Sequence, residues 1–430
     1  MNRRLRAWLA QWGPVLPLLL AEAIIWLGFG ALLPILPIYF TQHGVDLPTL
    51  GVVVAAWPAA RLIGEPFFGW LADRVARRPM MITGLVLASV FAVLPLFIVG
   101  PAAFILFRAC SGMAAAMYDP AARAYLVDAN PPERQGEAFG LYSAAQTGGF
   151  MLGPAIGGVL AAITGQPTVV FWVAGIALLV SAILVAVLVP EREHLHAADT
   201  ATATAAAVAA GEDEVVDAAG WSRPVRLLNV LLVAAIMFNV GSYFAGGSYE
   251  VIWSLYMTSL GADLAAIGLT FFSFGLPPLL LSPFTGRFID RAGGYWALVV
   301  GVAGIGICGL LYPLVPEIWW MVLLGLVEGS AFALLVPAVF LLAARAAPPG
   351  RTSSAQGLLG GAGTVGTIVA SLAAGSLAAI DLRYPFWVTG AVTLITLALG
   401  LAIGRRRLYD AMQPRVARAP VAVAAPGVGA

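Results

Sequence analysis

Apolar residues run in long blocks along this chain, interrupted at intervals by short polar segments. A hydrocarbon core about 30 Å thick needs about 20 apolar residues per helix. By that ruler the chain holds six spans at 14–40, 49–71, 79–99, 101–122, 137–163 and 168–189. Six more follow at 227–257, 264–286, 295–315, 317–344, 352–379 and 384–404. Several exceed the required length, which permits tilt or kinks without fixing an angle. The blocks stop over residues 190–226, a stretch rich in Ala and Thr that carries Glu212, Asp213 and Glu214. It reads as a linker between two six-span units, 1–189 and 227–406, and residues 407–430 read as a disordered tail. The predicted fold class is an all-α membrane protein of twelve transmembrane helices in two six-helix bundles.

The polar segments give the orientation. The sequence contains no lysine, so arginine alone carries the signal. When loops are assigned alternately to two sides, every loop arginine except Arg383 falls on one side, together with both termini. Positive loops mark the cytoplasmic face. The expected location is a bacterial inner membrane with both termini in the cytoplasm.

The polar segments also repeat. Between spans two and three lies Gly69-Trp-Leu-Ala-Asp73-Arg74-Val-Ala-Arg77-Arg78-Pro79. Gly286, Asp290 and Arg291 follow Gly69, Asp73 and Arg74 at one common offset. The same offset relates Pro131-Pro132 to Pro348-Pro349, Arg134 to Arg351, Gly140 to Gly357, Gly149 to Gly366 and Gly158 to Gly375. Two parallel halves related by an axis along the membrane normal form a transporter architecture, with substrate bound near the midplane between them.

On these residues the sequence resembles the major facilitator superfamily over nearly its whole length. The turn at Gly69–Pro79 is similar to that superfamily's signature, with Ala76 where Gly is usual. Span four carries Arg108-Ala-Cys-Ser-Gly112-Met-Ala-Ala-Ala116, which resembles the Arg-x-x-x-Gly-x-x-x-Ala motif of proton-coupled members. Span five carries Gly149-Phe-Met-Leu-Gly153-Pro154-Ala-Ile-Gly157-Gly158, which resembles the Gly-x-x-x-Gly-Pro-x-x-Gly-Gly motif of twelve-helix drug:proton antiporters. The resemblance implies a cytoplasmic latch built from Gly69, Asp73, Arg74, Arg77, Arg78, Asp290 and Arg291, closed when the transporter faces outward. Asp119 reads as part of that latch, with Arg123. The alternative for the arginine turn is a solvated, positive-inside loop. Gly153, Pro154 and Gly157 suit a close-packed, bendable helix that slides during gating, or tight packing alone.

Composition narrows the function. With 60% hydrophobic and 10% charged residues against the roughly 25% charged of soluble domains, the solvent of this chain is lipid. A net charge of +1 implies no polyanionic partner such as nucleic acid. Cys110 and Cys308 lie far apart, and no group has metal-ligand spacing, so neither metal nor cofactor is expected. His43, His194 and His196 all fall in loops, which speaks against a membrane-embedded lipid enzyme. Without lysine there is no nucleotide-binding Gly-x-x-x-x-Gly-Lys stretch.

Ionisable residues at membrane depth cost a few kcal/mol or more and are functional candidates by default. At 1.5 Å per residue, Glu22 lies about 12 Å in from the cytoplasmic side, and Arg61 lies at about the same depth. Arg61 has two candidate partners, Glu22 and Glu65, the latter one helical turn away. Proton coupling needs a carboxylate that meets an arginine in one state and loses it in the other. Glu22 is the first candidate for the proton carrier, Glu328 the second and Glu250 the third. Arg108 is the candidate cationic partner, the alternative being an arginine that snorkels to the outer face. By resemblance the substrate cavity draws on spans one, four, seven and ten, which offer Glu22, Tyr118, Asn239, Tyr243 and Glu328. Tyr39 and Trp253 are also candidates, or else interfacial belt residues. Aromatics with a few carboxylates suit lipophilic or cationic ligands. The expected function is proton-coupled efflux of drugs or metabolites by a monomer working through alternating access. The alternative on the same fold is an uptake symporter for a small metabolite.

Overall fold

The computed structural model describes residues 12–13, 15–72, 74–131, 134–190, 228–348 and 351–414. In the first half the helices are α1 (Leu16–Leu32), α2 (Leu36–Gln42), α3 (Leu47–Ala72), α4 (Arg77–Val93), α5 (Pro101–Ala129), α6 (Gln135–Thr164) and α7 (Val169–Leu188). The second half holds α8 (Val230–Ser259), α9 (Leu264–Ala292), α10 (Tyr295–Leu311), α11 (Ile318–Ala346), α12 (Thr352–Ala378) and α13 (Tyr384–Ala411). Helices α1 and α2 form one span bent by 44°. Pro34 sits in the break and Pro37 in the first turn of α2, so the chain loses backbone donors where it bends. Taking that pair as one span, the described residues cross the membrane twelve times, at the places the apolar blocks mark.

The ends differ from expectation in one consistent way. Helices α5, α9 and α13 continue to Ala129, Ala292 and Ala411, past the predicted ends at 122, 286 and 404. The apolar ruler stops where lipid stops, but a helix has no reason to stop there. Residues 407–411, assigned to the tail by sequence, therefore belong to α13. The chain just beyond is held as well: Arg345 Nη1 donates to the carbonyls of Ala411 and Gln413 at 2.7 and 3.0 Å. The linker and the rest of the tail lie outside the described residues.

The outward surfaces are apolar, with Ile63, Ile163, Val187 and Trp319 each more than two-thirds exposed, as a lipid-facing side requires. Inside, packing differs between the two ends. At the end away from the arginine-rich loops, one core joins both halves, mixing Phe40, Phe104 and Phe171 with Ile252, Trp253 and Phe386. At the arginine-rich end there are two separate cores. One holds Trp12, Met81 and Tyr125, the other Phe238, Leu298 and Leu342.

Glycines make the shared core possible. Helix α3 packs on α12 and α6 on α9, across the two halves. A Cβ on Gly51 would lie 2.5 Å from the Ser371 carbonyl oxygen, and one on Gly375 2.5 Å from that of Leu47. A Cβ on Gly268 would lie 2.6 Å from the Pro154 carbonyl oxygen. At the arginine-rich end, Gly140, Gly286, Gly357, Gly360 and Gly361 would meet nothing within 4 Å. Among the described residues the halves touch at one end and stand apart at the other.

Candidate functional site

The gap between the halves is a cavity of about 960 Å³. It begins under the shared core and extends toward the arginine-rich end, where Arg123 and Gly357 line it. Its walls are aromatic: Trp26, Phe29 and Trp57 from the first half, Trp253, Phe274 and Phe332 from the second. Edge and tilted ring contacts fix these walls, with Trp26–Phe29 centroids 5.5 Å apart, Phe29–Trp57 5.2 Å and Phe274–Phe332 5.6 Å. Three carboxylates line the same cavity: Glu65, Glu250 and Glu328.

Glu250 closes the inner end of the cavity. Arg108 Nη2 of α5 donates to its Oε1 at 2.7 Å, joining the two halves. Arg108 therefore does not snorkel; it is 7% exposed and turned inward. The pair sits directly beneath the shared core, on α5 and α8, so parting the halves at that end would separate it. Glu328 of α11 is buried and has a different partner. Tyr312 Oη donates to its Oε2 at 2.6 Å, and among the described residues it forms no ion pair with an arginine.

Glu22 lies elsewhere. It is fully buried inside the first half and accepts hydrogen bonds from Trp26 Nε1 at 2.9 Å, Tyr118 Oη at 2.7 Å and Gln146 Nε2 at 2.5 Å. The proposed Glu22–Arg61 pair is not formed. Depth along a helix does not specify its face: Glu22 faces α5 and α6. Arg61 instead bonds Glu65, with Nε 2.8 Å from Oε1, and also pairs with Asp119. Asp119 is thus tied to Arg61 at the cavity wall rather than to Arg123 in a latch.

The other substrate candidates divide similarly. Tyr243 and Glu328 line the shared cavity. Tyr118 is buried and committed to Glu22, and Asn239 is buried with its Nδ2 donating to the Leu359 carbonyl at 2.9 Å. Neither polar group faces the cavity. Tyr39 and Trp253 are buried too, so neither is a belt residue; Tyr39 Oη donates to Pro95 O and Trp253 Nε1 to Thr270 Oγ1. Sequence reasoning missed Phe29, Trp57, Phe274 and Phe332. An aromatic on an apolar helix gives no sign of which face meets the partner half.

In the arginine turn, Asp73 lies outside the described residues. Arg74 stacks on Trp70, with Cζ 3.9 Å from the ring centroid. Arg77 pairs with Asp128, and Arg78 Nη2 donates to the Ala186 carbonyl. The guanidiniums of Arg77 and Arg78 therefore bind within their own half, where the arginine-rich end is open. Gly69 has only Pro120 near the position of a Cβ, at 4.0 Å. Arg291 occupies the last turn of α9, next to Asp290. On α6, Gly149, Gly153 and Gly157 face α1 at Ala23, Leu27 and Ala31, inside the first half. The contact across the halves is made instead by Gly158 and the Pro154 carbonyl against α9.

Comparison with known proteins agrees with this architecture. The Major Facilitator Superfamily profile matches residues 18–249 and 236–425. The chain is 25% identical over 379 residues to the quinolone resistance protein NorA of Staphylococcus aureus (strain COL), covering 86% of this chain and 91% of the relative. It is 25% identical over 389 residues to multidrug resistance protein 2 of Bacillus subtilis (strain 168), covering 87% and 91%. Its fold is similar to an inward-facing, occupied bacterial homologue of the human lysosomal transporter Spinster, with TM-score 0.72 at 15% identity, covering 96% of this chain and 100% of the other. A D-xylose–proton symporter aligns with TM-score 0.70 at 16% identity, covering 90% and 96%. With two repeated six-helix halves around one shared cavity and a family match over nearly its full length, this multi-pass membrane protein belongs to the Major Facilitator Superfamily of transporters.

Proposed function

We propose that this chain is a proton-coupled exporter of lipophilic, aromatic compounds, cations among them. The observation that carries the reading is the cavity between the halves, with aromatic walls from both and Glu250 and Glu328 on one side. Apolar rings fit between such walls, and a cationic group is attracted by both aromatic faces and carboxylates. The names of the two bacterial relatives, quinolone resistance and multidrug resistance, support the same reading.

Glu250 takes the role of proton carrier in this scheme, with Arg108 as its competitor. When the far end opens, the Arg108–Glu250 pair parts and Glu250 meets the outside, where it takes a proton. When that end closes, the guanidinium returns and displaces the proton into the cavity, now open to the cytoplasm. Glu328 holds the positive group of the substrate. Glu22 keeps the first half folded around its three donors. The arginine-rich end is the cytoplasmic one, both termini lie inside the bacterial cell, and the working unit is a monomer. The turn carrying Asp73, Arg74, Arg77 and Arg78, with its repeat at Asp290 and Arg291, forms the latch of the outward-facing state.

Everted membrane vesicles acidified inside test this directly. Addition of a substrate such as a lipophilic aromatic cation discharges the proton gradient only in vesicles that contain the protein. If no member of a panel of cations, neutral drugs and zwitterions does so while the protein is folded and inserted, antiport is wrong. Substrate-driven proton entry in right-side-out vesicles would then assign symport.

A further inference from the structure

A second, smaller chamber lies inside the first half, enclosed by α1, α3, α4, α5 and α7, with a volume of about 90 Å³. Trp26, Phe29 and Trp57 line both it and the central cavity, so these three rings form the partition. Behind them the walls are mostly apolar, with Arg61, Ser111, Tyr118 and Asp119 set among the apolar groups. Small side chains such as Ala88 and Ala115 leave the space, where interiors normally hold few voids larger than a water molecule.

One polar group in this wall is unsatisfied. Arg108 lines the chamber and spends Nη2 on Glu250, but its buried Nε–H meets no acceptor. A buried donor without a partner is costly, and native structures rarely keep one. With Arg61 and Asp119 paired to each other and Tyr118 donating to Glu22, a water beside Nε finds few of the two to four polar partners it needs. An apolar void of about 150 Å³ takes up benzene. This chamber is smaller, so it admits at most one small ring.

We propose that the chamber is a second ligand site. It takes a neutral six-membered aromatic ring bearing one hydrogen-bond acceptor, which receives the Arg108 Nε–H. The ring stacks among Phe and Trp side chains while its acceptor satisfies the guanidinium from behind. Arg108 is thereby held in the position that reaches Glu250, so occupancy favours the state in which the far end is closed. The chamber shares Trp26, Phe29, Trp57 and Arg61 with the central cavity but is smaller and is not lined by Glu65, Glu250 or Glu328, and its existence does not depend on the direction of transport.

Fluorine NMR of 3-fluoropyridine and of fluorobenzene tests it, using the full-length protein in detergent against empty micelles. Both rings show saturable broadening, and the pyridine, which carries the acceptor, binds at least about threefold more tightly. Ala88→Leu fills the chamber from α4 and weakens both at least tenfold; Ala115→Leu does the same from α5 should the first variant fold poorly. Arg108→Lys removes the Nε donor and abolishes the preference for pyridine over benzene. Absence of saturable binding overturns the proposal. So does wild-type binding by both folded leucine variants, or a pyridine preference that survives Arg108→Lys. Weakening by Phe332→Ala instead would place the ring in the central cavity and equally reject the chamber.

Discussion

The two ends of this molecule are made from the same repeated helices, yet they pack in opposite ways. At the far end, backbones of α3 and α12, and of α6 and α9, come together at Gly51, Gly375, Gly158 and Gly268, and aromatic rings from both halves share one core. At the arginine-rich end each half keeps its own core, and glycines at comparable positions meet nothing. The axis that relates the halves runs along the membrane normal and maps each end onto itself, so the repeat does not make the two ends equivalent. The difference between the ends is one state of the cycle proposed above, closed at the far end. It also ranks the residues whose change alters that cycle most.

The largest effect is expected at the ion pair beneath the closed end. Glu250→Gln leaves Arg108 buried without its counter-charge, a loss that in comparable pairs costs about 2–5 kcal/mol. Proton-driven exchange should fall at least about 100-fold, while substrate still binds the detergent-purified protein. Near-normal coupling of substrate to the proton gradient in vesicles would remove Glu250 as the carrier and turn attention to Glu328.

Next comes the glycine contact itself. A side chain at Gly268 must push against the Pro154 carbonyl, and overpacking of this kind costs about 1–3 kcal/mol. Gly268→Leu should shift the balance about 5- to 100-fold away from the closed far end. A cysteine placed at buried Ile252, with Cys110 and Cys308 replaced, reports this through labelling by an impermeant maleimide. Unchanged labelling would mean that the glycine contact does not hold that end shut.

The architecture was largely legible because its signals are averaged over many residues. Twenty apolar residues are hard to place anywhere but across lipid, and the repeat at Gly69, Asp73 and Arg74 needs no structure to be seen. The site was legible only in part. Burial of charge named Arg108, Glu250 and Glu328, and the structure places the two carboxylates on the central cavity with Arg108 bonded to one of them. Burial alone did not pair Arg108 with Glu250, because the contact joins helices far apart in sequence. It ranked Glu22 first because membrane depth can be counted along a helix while rotation about its axis cannot. Tyr118 and Asn239 misled for the same reason: a polar group in a span must find a partner, and the partner can be a neighbouring helix instead of a ligand.

A milder change tests the open end. Gly360 on α12 has no neighbour within 4 Å of a Cβ, so Gly360→Leu should change stability by no more than about 0.5 kcal/mol. If this end closes in the other state, turnover falls about 5- to 10-fold even though this state is undisturbed. Unaltered transport rates would mean that the arginine-rich end closes by a different surface.

The smallest effect on transport is expected at Glu22, and it separates depth from function most sharply. The carboxylate is as buried as any in the protein and accepts from Trp26, Tyr118 and Gln146, all three in the first half. Glu22→Gln keeps one acceptor oxygen but turns the other position into a donor, facing groups that also donate. The mismatch should cost about 1–3 kcal/mol and lower the melting temperature in detergent. Coupling in vesicles, measured per folded molecule, should stay within about threefold of the unmodified protein. Loss of coupling at unchanged stability would show that a carboxylate with no arginine partner in this state can still carry the proton. The Arg108–Glu250 contact would then be a seal between the halves and nothing more.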